Sequence, residues 1–243
     1  TGFTQWGASG LAAAWAEENT RESIFNAFRR KETFATTGTR IAVRFFGGYN
    51  LSSIDLNSES LVSEAYQKGV TMGSDLLHNE NKIPEFLVWA QRDKNGAPLQ
   101  RIQIIKGWID NNSGRPKEKV FDVACSDGMK PDPITKRCPD NGARVNINDC
   151  SISTNVGSSE LKTVWKDPEF APDDKTFYYV RVLENPTCRW STWDAIKAGY
   201  KPREGLHETI QERAWSSPIW YIPEQSDVEV VPLGGTIQLR NID

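Results

Sequence analysis

The stretch LAAAWAEENTRESIFNAFRRKETFATTGTRIAVRFF, residues 11–46, decides how the rest of the chain is read. Leu11 to Ala16 is apolar without periodicity, the pattern of a strand covered on both faces, which is preferred here over a short buried helical turn. Asn19 can accept from the free N–H groups of a helix start, and Glu22, three residues on, can reach back to it. This spacing predicts a capping box and a helix beginning at Asn19. Ile24, Phe25 and Phe28 fall on one stripe, while Arg21, Arg29, Arg30 and Lys31 lie towards the other side and the C-terminal end, where cations suit the helix dipole. After Thr36-Thr37-Gly38 the period changes to two: Ile41, Val43 and Phe45 alternate with Ala42, Arg44 and Phe46 until Gly47-Gly48 closes the run. The stretch reads as strand, helix, strand.

Downstream the pattern is mostly that of strands. Leu51 to Gly69 reads as a loop with a short helix, and Thr71 to His78 as a short strand. Phe86, Val88 and Ala90 alternate with Leu87, Trp89 and Gln91, Asp93 to Gly96 supplies a turn, and Leu99 to Trp108 returns, so a hairpin is expected. Lys117 to Cys125 adds a third strand of that meander. Asp127 to Asp174 is irregular, an excursion that a Cys138–Cys150 pair would staple. Lys175 to Leu183 reads as a core strand, and Trp190 to Tyr200 as a short helix with a terminal Gly. Arg213 to Pro223 reads as a final strand near a sheet edge. Asp227 to Asp243 suits a small extra hairpin or a tail.

Composition narrows the function. The chain has 243 residues, enough to bury a core, and a net charge of −3 with both signs dispersed, so it carries no electrostatic footprint for nucleic acid or anionic membrane. No apolar run approaches the ~18 residues of a membrane span. Cys125, Cys138, Cys150 and Cys188 are an even set in a loop-rich half, which permits two disulfides in three connectivities. No Cys-x-x-Cys exists, and neither His78 nor His207 is near a cysteine in sequence, so disulfides are preferred over a zinc site. They imply an oxidising compartment, periplasmic or extracellular. Asp127, Asp132, Asp140 and Asp149 lack the spacing of a calcium loop. Trp108, Trp165, Trp190, Trp193, Trp215 and Trp220 suit a sugar-stacking face or the core, the core being preferred.

Several segments, in order along the chain, resemble a bacterial domain-of-unknown-function family, number 3604, related to the PHP-type (polymerase and histidinol phosphatase) metal-dependent phosphoesterases. They are Gly10-Leu11 through Trp15 to Glu22, Glu32 to Gly38 with Arg40, Val43 to Gly48, Arg101 to Trp108, Phe177 to Val182, Arg189 to Ala195, and Gln211 to Tyr221. The resemblance implies an α+β, mainly β chain: residues 1–39 as the last strand and helix of a PHP-like β/α barrel, residues 40–223 as an antiparallel β-sandwich-like domain, and residues 224–243 as a tail or hairpin. It implies hydrolysis by a metal-activated water in the intact protein. The His- and Asp-rich motifs that would hold the divalent ions are absent from these residues.

The chain opens on Thr1 rather than Met, and together with the resemblance this makes it the expected C-terminal part of a longer protein, inactive alone, whose partner is its own N-terminal remainder. If Leu11 to Ala16 is a barrel strand, Glu17, Glu18, Asn19 and Arg21 project at the mouth where barrel enzymes keep their chemistry. Glu17 or Glu18 would then support a metal or position a substrate. Asn19 and Arg21, at a helix N-terminus, would favour a phosphate-like anion. The alternative function is a non-enzymatic extracellular binding or structural module, with carbohydrate as the first ligand to consider.

Overall fold

Residues 6–80, 82–110 and 113–224 are described by the computed structural model, and most of the regular structure among them is strand. In chain order come β1 (Leu11–Ala14), α1 (Arg21–Arg29), β2 (Thr33–Thr36), β3 (Ala42–Gly48), a single 3₁₀ turn (Leu51–Ser53), α2 (Leu61–Lys68), β4 (Gly69–Thr71), β5 (Asp75–Leu77) and β6 (Glu85–Gln91). Then follow β7 (Leu99–Ile109), β8 (Pro116–Cys125), β9 (Val145–Asn146), β10 (Ser151–Ile152), β11 (Glu160–Lys166) and β12 (Thr176–Glu184). The series ends with β13 (Thr187–Cys188), α3 (Trp190–Ala198), β14 (Thr209–Ile210), β15 (Arg213–Ser216) and β16 (Ile219–Ile222).

Two sheets stack face to face. The smaller runs β11-β6-β3-β4, all antiparallel. In the larger, β12 is central, with β7 and then β8 on one side and β15 and β16 end to end on the other. Beyond β15 lie β2 and β1; beyond β16 lies β5, in the one parallel pairing among the described strands. Phe45, Phe86 and Val88 of the smaller sheet meet Ile102, Ile104, Tyr178, Val180 and Val182 of the larger in a single cluster. Their alternation is what fixes the sandwich: on a half-buried strand, every second residue must face the core. The other face of the smaller sheet is covered by α2 and the 3₁₀ turn through Leu51, Ile54, Leu61 and Ala65 against Phe46 and Leu87. Within the sandwich Lys106 and Asp167 form a buried ion pair at 2.6 Å, to which Tyr178 adds its hydroxyl at 2.8 Å.

Several sequence expectations change here. β1 is an edge strand, paired only with β2, and Leu11 is 42 % exposed, so it is not covered on both faces. The cap of α1 is Thr20, whose hydroxyl accepts from the N–H of Ser23, and not Asn19. The Asp93–Gly96 turn forms, with Gly96 N–H donating to the Asp93 carbonyl, yet β6 and β7 are not a hairpin. They belong to opposite sheets, because each is buried enough to need two neighbours: β6 takes β3 and β11, and β7 takes β8 and β12. Thr71 to His78 is split into β4 and β5 around Gly73, which has φ +88° and lies so near Lys31 that a Cβ there would fall 2.3 Å from its carbonyl oxygen.

The irregular excursion contains a full sheet strand, β11. It is stapled by Cys125–Cys138 and Cys150–Cys188, and Cys138 does not pair with Cys150. Arg213 to Pro223 is two strands in the sheet interior, broken where Pro218 has no N–H to give; the Ser216 hydroxyl accepts from Val180 N–H at 2.9 Å beside the break. Gly199 ends α3 in the left-handed region, as the sequence predicts. The hairpin or tail expected at Asp227 to Asp243 lies outside the described residues. No helix among the described residues is long and apolar enough to cross a membrane.

Candidate functional site

A cleft of about 550 Å³ opens where the segment after β1 meets the smaller sheet, and Glu17 is one of its walls. Trp15 is fixed first: its indole N–H donates to the Val43 carbonyl at 2.8 Å. Arg44, the one charged side chain of β3, lies with its guanidinium 3.7 Å from the centroid of that indole, and its Nη1 donates to the Tyr66 hydroxyl of α2 at 3.1 Å. Tyr66 in turn donates to Glu32, which also accepts from Thr71 Oγ1 at 3.2 Å and Arg30 Nη2 at 3.4 Å. Glu32 is buried, so these donors supply what water cannot. Arg30 Nη2 completes the series by donating to Glu17 at 3.0 Å, while the other oxygen of Glu17 accepts from Ser23 Oγ at 3.0 Å.

The series Glu17–Arg30–Glu32–Tyr66–Arg44–Trp15 thus links the two ends of α1, α2 and β3. Hydrogen bonds, from its own backbone first and then from Ser23, with the Arg30 charge behind them, hold the Glu17 carboxyl below its ordinary value. Burial first, then the Glu32 carboxylate, pushes the Tyr66 phenol up, so it is a donor at neutral pH. Arg44 has no carboxylate within ion-pair distance among the described residues; it is the cation of the cleft with donors left to offer. The donor set does not fit a divalent cation. Both carboxylates are taken up by Arg30, and Glu32 also by Tyr66 and Thr71, leaving guanidinium groups where a metal would be repelled. Among the described residues no three His, Cys, Asp or Glu side chains gather anywhere as a cation cage.

Of the four residues marked by sequence, Glu17 lines this cleft, whereas Glu18, Asn19 and Arg21 are exposed around the start of α1. The Glu18 N–H donates to Ser23 Oγ, which ties the turn down. Arg30, Glu32, Arg44, Tyr66 and Thr71 were not singled out. The only local sign was Arg44, a charge inside an otherwise apolar strand. His78 pairs its Nδ1 with the Tyr221 hydroxyl at 2.7 Å, and His207 is exposed. Of the aspartates of the excursion, Asp132 accepts from Ile134 and Thr135, Asp140 binds Arg144 and Asp149 accepts from Ser151 N–H within their own turns, while Asp127 accepts from Gly157 N–H across the excursion. Of the tryptophans considered for the core, Trp165 packs on it, against Phe121 and Phe86, while Trp193 and Trp220 are exposed.

Fold and cleft together define a β-sandwich domain, stapled by two disulfides, whose larger sheet ends at one edge in β1, with α1 beside it. Residues 1–223 match the family model described as "Protein of unknown function (DUF3604)", and the chain belongs to that family. No curated protein and no solved structure matches the chain.

Proposed function

We propose that this chain is the C-terminal part of a secreted metal-dependent phosphoesterase-like hydrolase, in which β1 and α1 complete a PHP-like barrel whose metal ligands lie in a preceding segment. One observation carries the reading. Helix α1 buries only Ala27, with Ser23 beside it half-buried, and leaves Ile24, Phe25 and Phe28 respectively 37, 58 and 53 % exposed. An amphipathic helix that turns its small residues inward and its large apolar ones outward is patterned for a second neighbour. Edge strand β1, with Leu11 exposed and one side unpaired among the described residues, continues the same raw rim.

In this reading the occupant of the rim is the N-terminal remainder of the same protein. Glu17 positions Arg30, and Arg44 offers its free donors to a phosphate-like group at the domain junction. Glu18, Asn19 and Arg21, at the α1 N-terminus, stand where an anion is favoured. The two disulfides support a periplasmic or extracellular location. The test compares this chain with one extended towards its N-terminus, using p-nitrophenyl phosphate and bis-p-nitrophenyl phosphate with Mn²⁺, Zn²⁺ or Mg²⁺. The expected result is turnover by the extended chain only. Metal-dependent turnover by residues 1–243 alone, or none by a folded extended chain, overturns it.

A second reading, a carbohydrate-binding module, is supported by an aromatic row on the outer face of the larger sheet. Phe177 lies over Gly107, with Trp220 at 5.1 Å and Tyr179 at 6.3 Å between ring centroids, and Trp220 is 43 % exposed. Saturable quenching of tryptophan fluorescence by neutral oligosaccharides, lost in Trp220→Ala, would favour it.

A further inference from the structure

A second cleft, of about 710 Å³, is dominated by cations: its walls carry Arg101, Arg144, Arg189 and Arg213, with Asp140 as their one carboxylate. The sheet sets two of these side by side. Arg101 of β7 and Arg213 of β15 both pair with Leu183 of β12, so the three stand in one row across three strands. Their neighbours Ile102, Val182 and Ala214 form the next row and point into the core, which puts Arg101 and Arg213 on the outer face. Two strand spacings, roughly 10 Å, separate their backbones, a distance that two long side chains can close around one small group.

These two charges are poorly used within the protein. Arg101 meets Asp122 only at 3.8 Å, and that carboxylate already accepts from Gln103 at 2.6 Å and from Cys138 N–H at 2.7 Å. The Nε of Arg101 is buried without any hydrogen-bond partner. Arg213 donates its Nε to the Gln211 carbonyl at 3.3 Å and has no carboxylate within ion-pair distance among the described residues. Arg144, by contrast, is neutralised by Asp140 at 2.9 Å, and Arg189 donates to Ser191 and to the Trp6 carbonyl. The walls are also braced. Cys125, opposite Arg101 in register, is bridged to Cys138 of the cleft, and Cys188, next to Arg189, is bridged to Cys150 of the excursion.

We propose that this cleft binds the tetrahedral oxyanion of a small phosphorylated or sulfated ligand, with Arg101 and Arg213 as its principal contacts. A guanidinium offers paired N–H donors matched to such an oxyanion, and an unsatisfied buried donor gains most from one. The site is independent of the hydrolase reading, since a chain that hydrolyses nothing would still bind.

Isothermal titration of the full chain with inorganic phosphate, inorganic sulfate, glucose 6-phosphate, glucose 6-sulfate and glucose tests it. Saturable binding of the charged probes at roughly 10 mM or below, with glucose silent, is expected. Arg213→Gln and Arg101→Gln should each weaken it about tenfold or more, Arg213→Lys should fall between, and the exposed control Lys130→Gln should leave it unchanged. Preference for the phosphate or the sulfate ester identifies the source of the group, and either supports the site. No saturable binding of any charged probe to the parent chain overturns the proposal even if a variant fails to fold. So does unchanged affinity in folded Arg101→Gln and Arg213→Gln.

Discussion

The sandwich interior and the rim formed by β1 and α1 use the same residue types in opposite ways. Inside, Phe45, Phe86 and Tyr178 are fully buried, Phe86 stacking beside Phe45 within the smaller sheet and meeting Tyr178 of the larger one; at the rim, Phe25 and Phe28 face water. Both regions are written with apolar spacing, but only the first has a partner within the described residues. Apolar periodicity therefore reports that a face is meant to be covered and not what covers it. The interior is a closed set of contacts, and the rim leaves its large apolar side chains exposed among the described residues.

The largest expected effect lies on the interior side. Phe86 is fully buried, 4.3 Å from Tyr178 and 5.7 Å from Phe45 between ring centroids. Phe86→Ala removes those contacts and leaves a cavity, which costs about 3–5 kcal/mol in such cores. Urea unfolding of the isolated chain measures it. A loss below about 1 kcal/mol would mean that the two sheets do not share this core.

The bridges come next. Cys150–Cys188 closes a separation of 38 residues and Cys125–Cys138 one of 13. On loop-closure grounds the Cys150→Ser, Cys188→Ser pair should lose roughly 4 kcal/mol and the Cys125→Ser, Cys138→Ser pair roughly 3. Equal losses, or none, would show that the excursion between the sheets is held by its hydrogen bonds instead.

A third test separates burial from charge. Glu184 is fully buried with no well-formed hydrogen bond to either carboxylate oxygen, and burial first, then the Glu212 and Asp93 charges, raises its pKa to about 8, the nearby Ala97 N–H and Thr39 hydroxyl offsetting this only in part. The folded state thus keeps this proton to higher pH than the unfolded chain, whose value is near 4.5. Its contribution to stability is complete below about pH 4.5 and is lost as pH rises through about 8. Glu184→Gln should therefore gain on the order of 2–4 kcal/mol over the parent at pH 9 and little at pH 4.5. Denaturant midpoints across that range check it, and parallel curves would mean that the carboxyl reaches water.

How much of this was legible in the sequence follows from the same contrast. β3 and β12 could be read because the period of two survives over much of each; Ile41, Val43 and Phe45 all proved buried. The pairing of β6 and β7 could not, since strands buried on both sides look alike whichever neighbour they take. Glu17 was visible because it follows an apolar strand directly. Glu32 and Tyr66 were not, because the Glu17–Trp15 series is assembled from residues 15–71 by the meeting of α1, α2 and β3, and no local spacing encodes that meeting. The cysteine count was informative, whereas the pairing depended on where the excursion folds back.

The smallest effect is the sharpest test of the rim. Phe25 and Phe28 are more than half exposed, so Phe25→Gln with Phe28→Gln removes little buried area from the chain by itself, and Gln is as good a helix former as the residues it replaces. The double variant should shift stability by less than about 0.5 kcal/mol, against the several kcal/mol expected for Phe86→Ala. A loss above about 1.5 kcal/mol would mean that this face is already packed, and the contrast between the two regions would fail. In the N-terminally extended protein the same double variant should matter, because there the stripe would be buried at a junction. A change that is silent in the short chain and damaging in the long one is the signature of a face whose partner lies outside the sandwich.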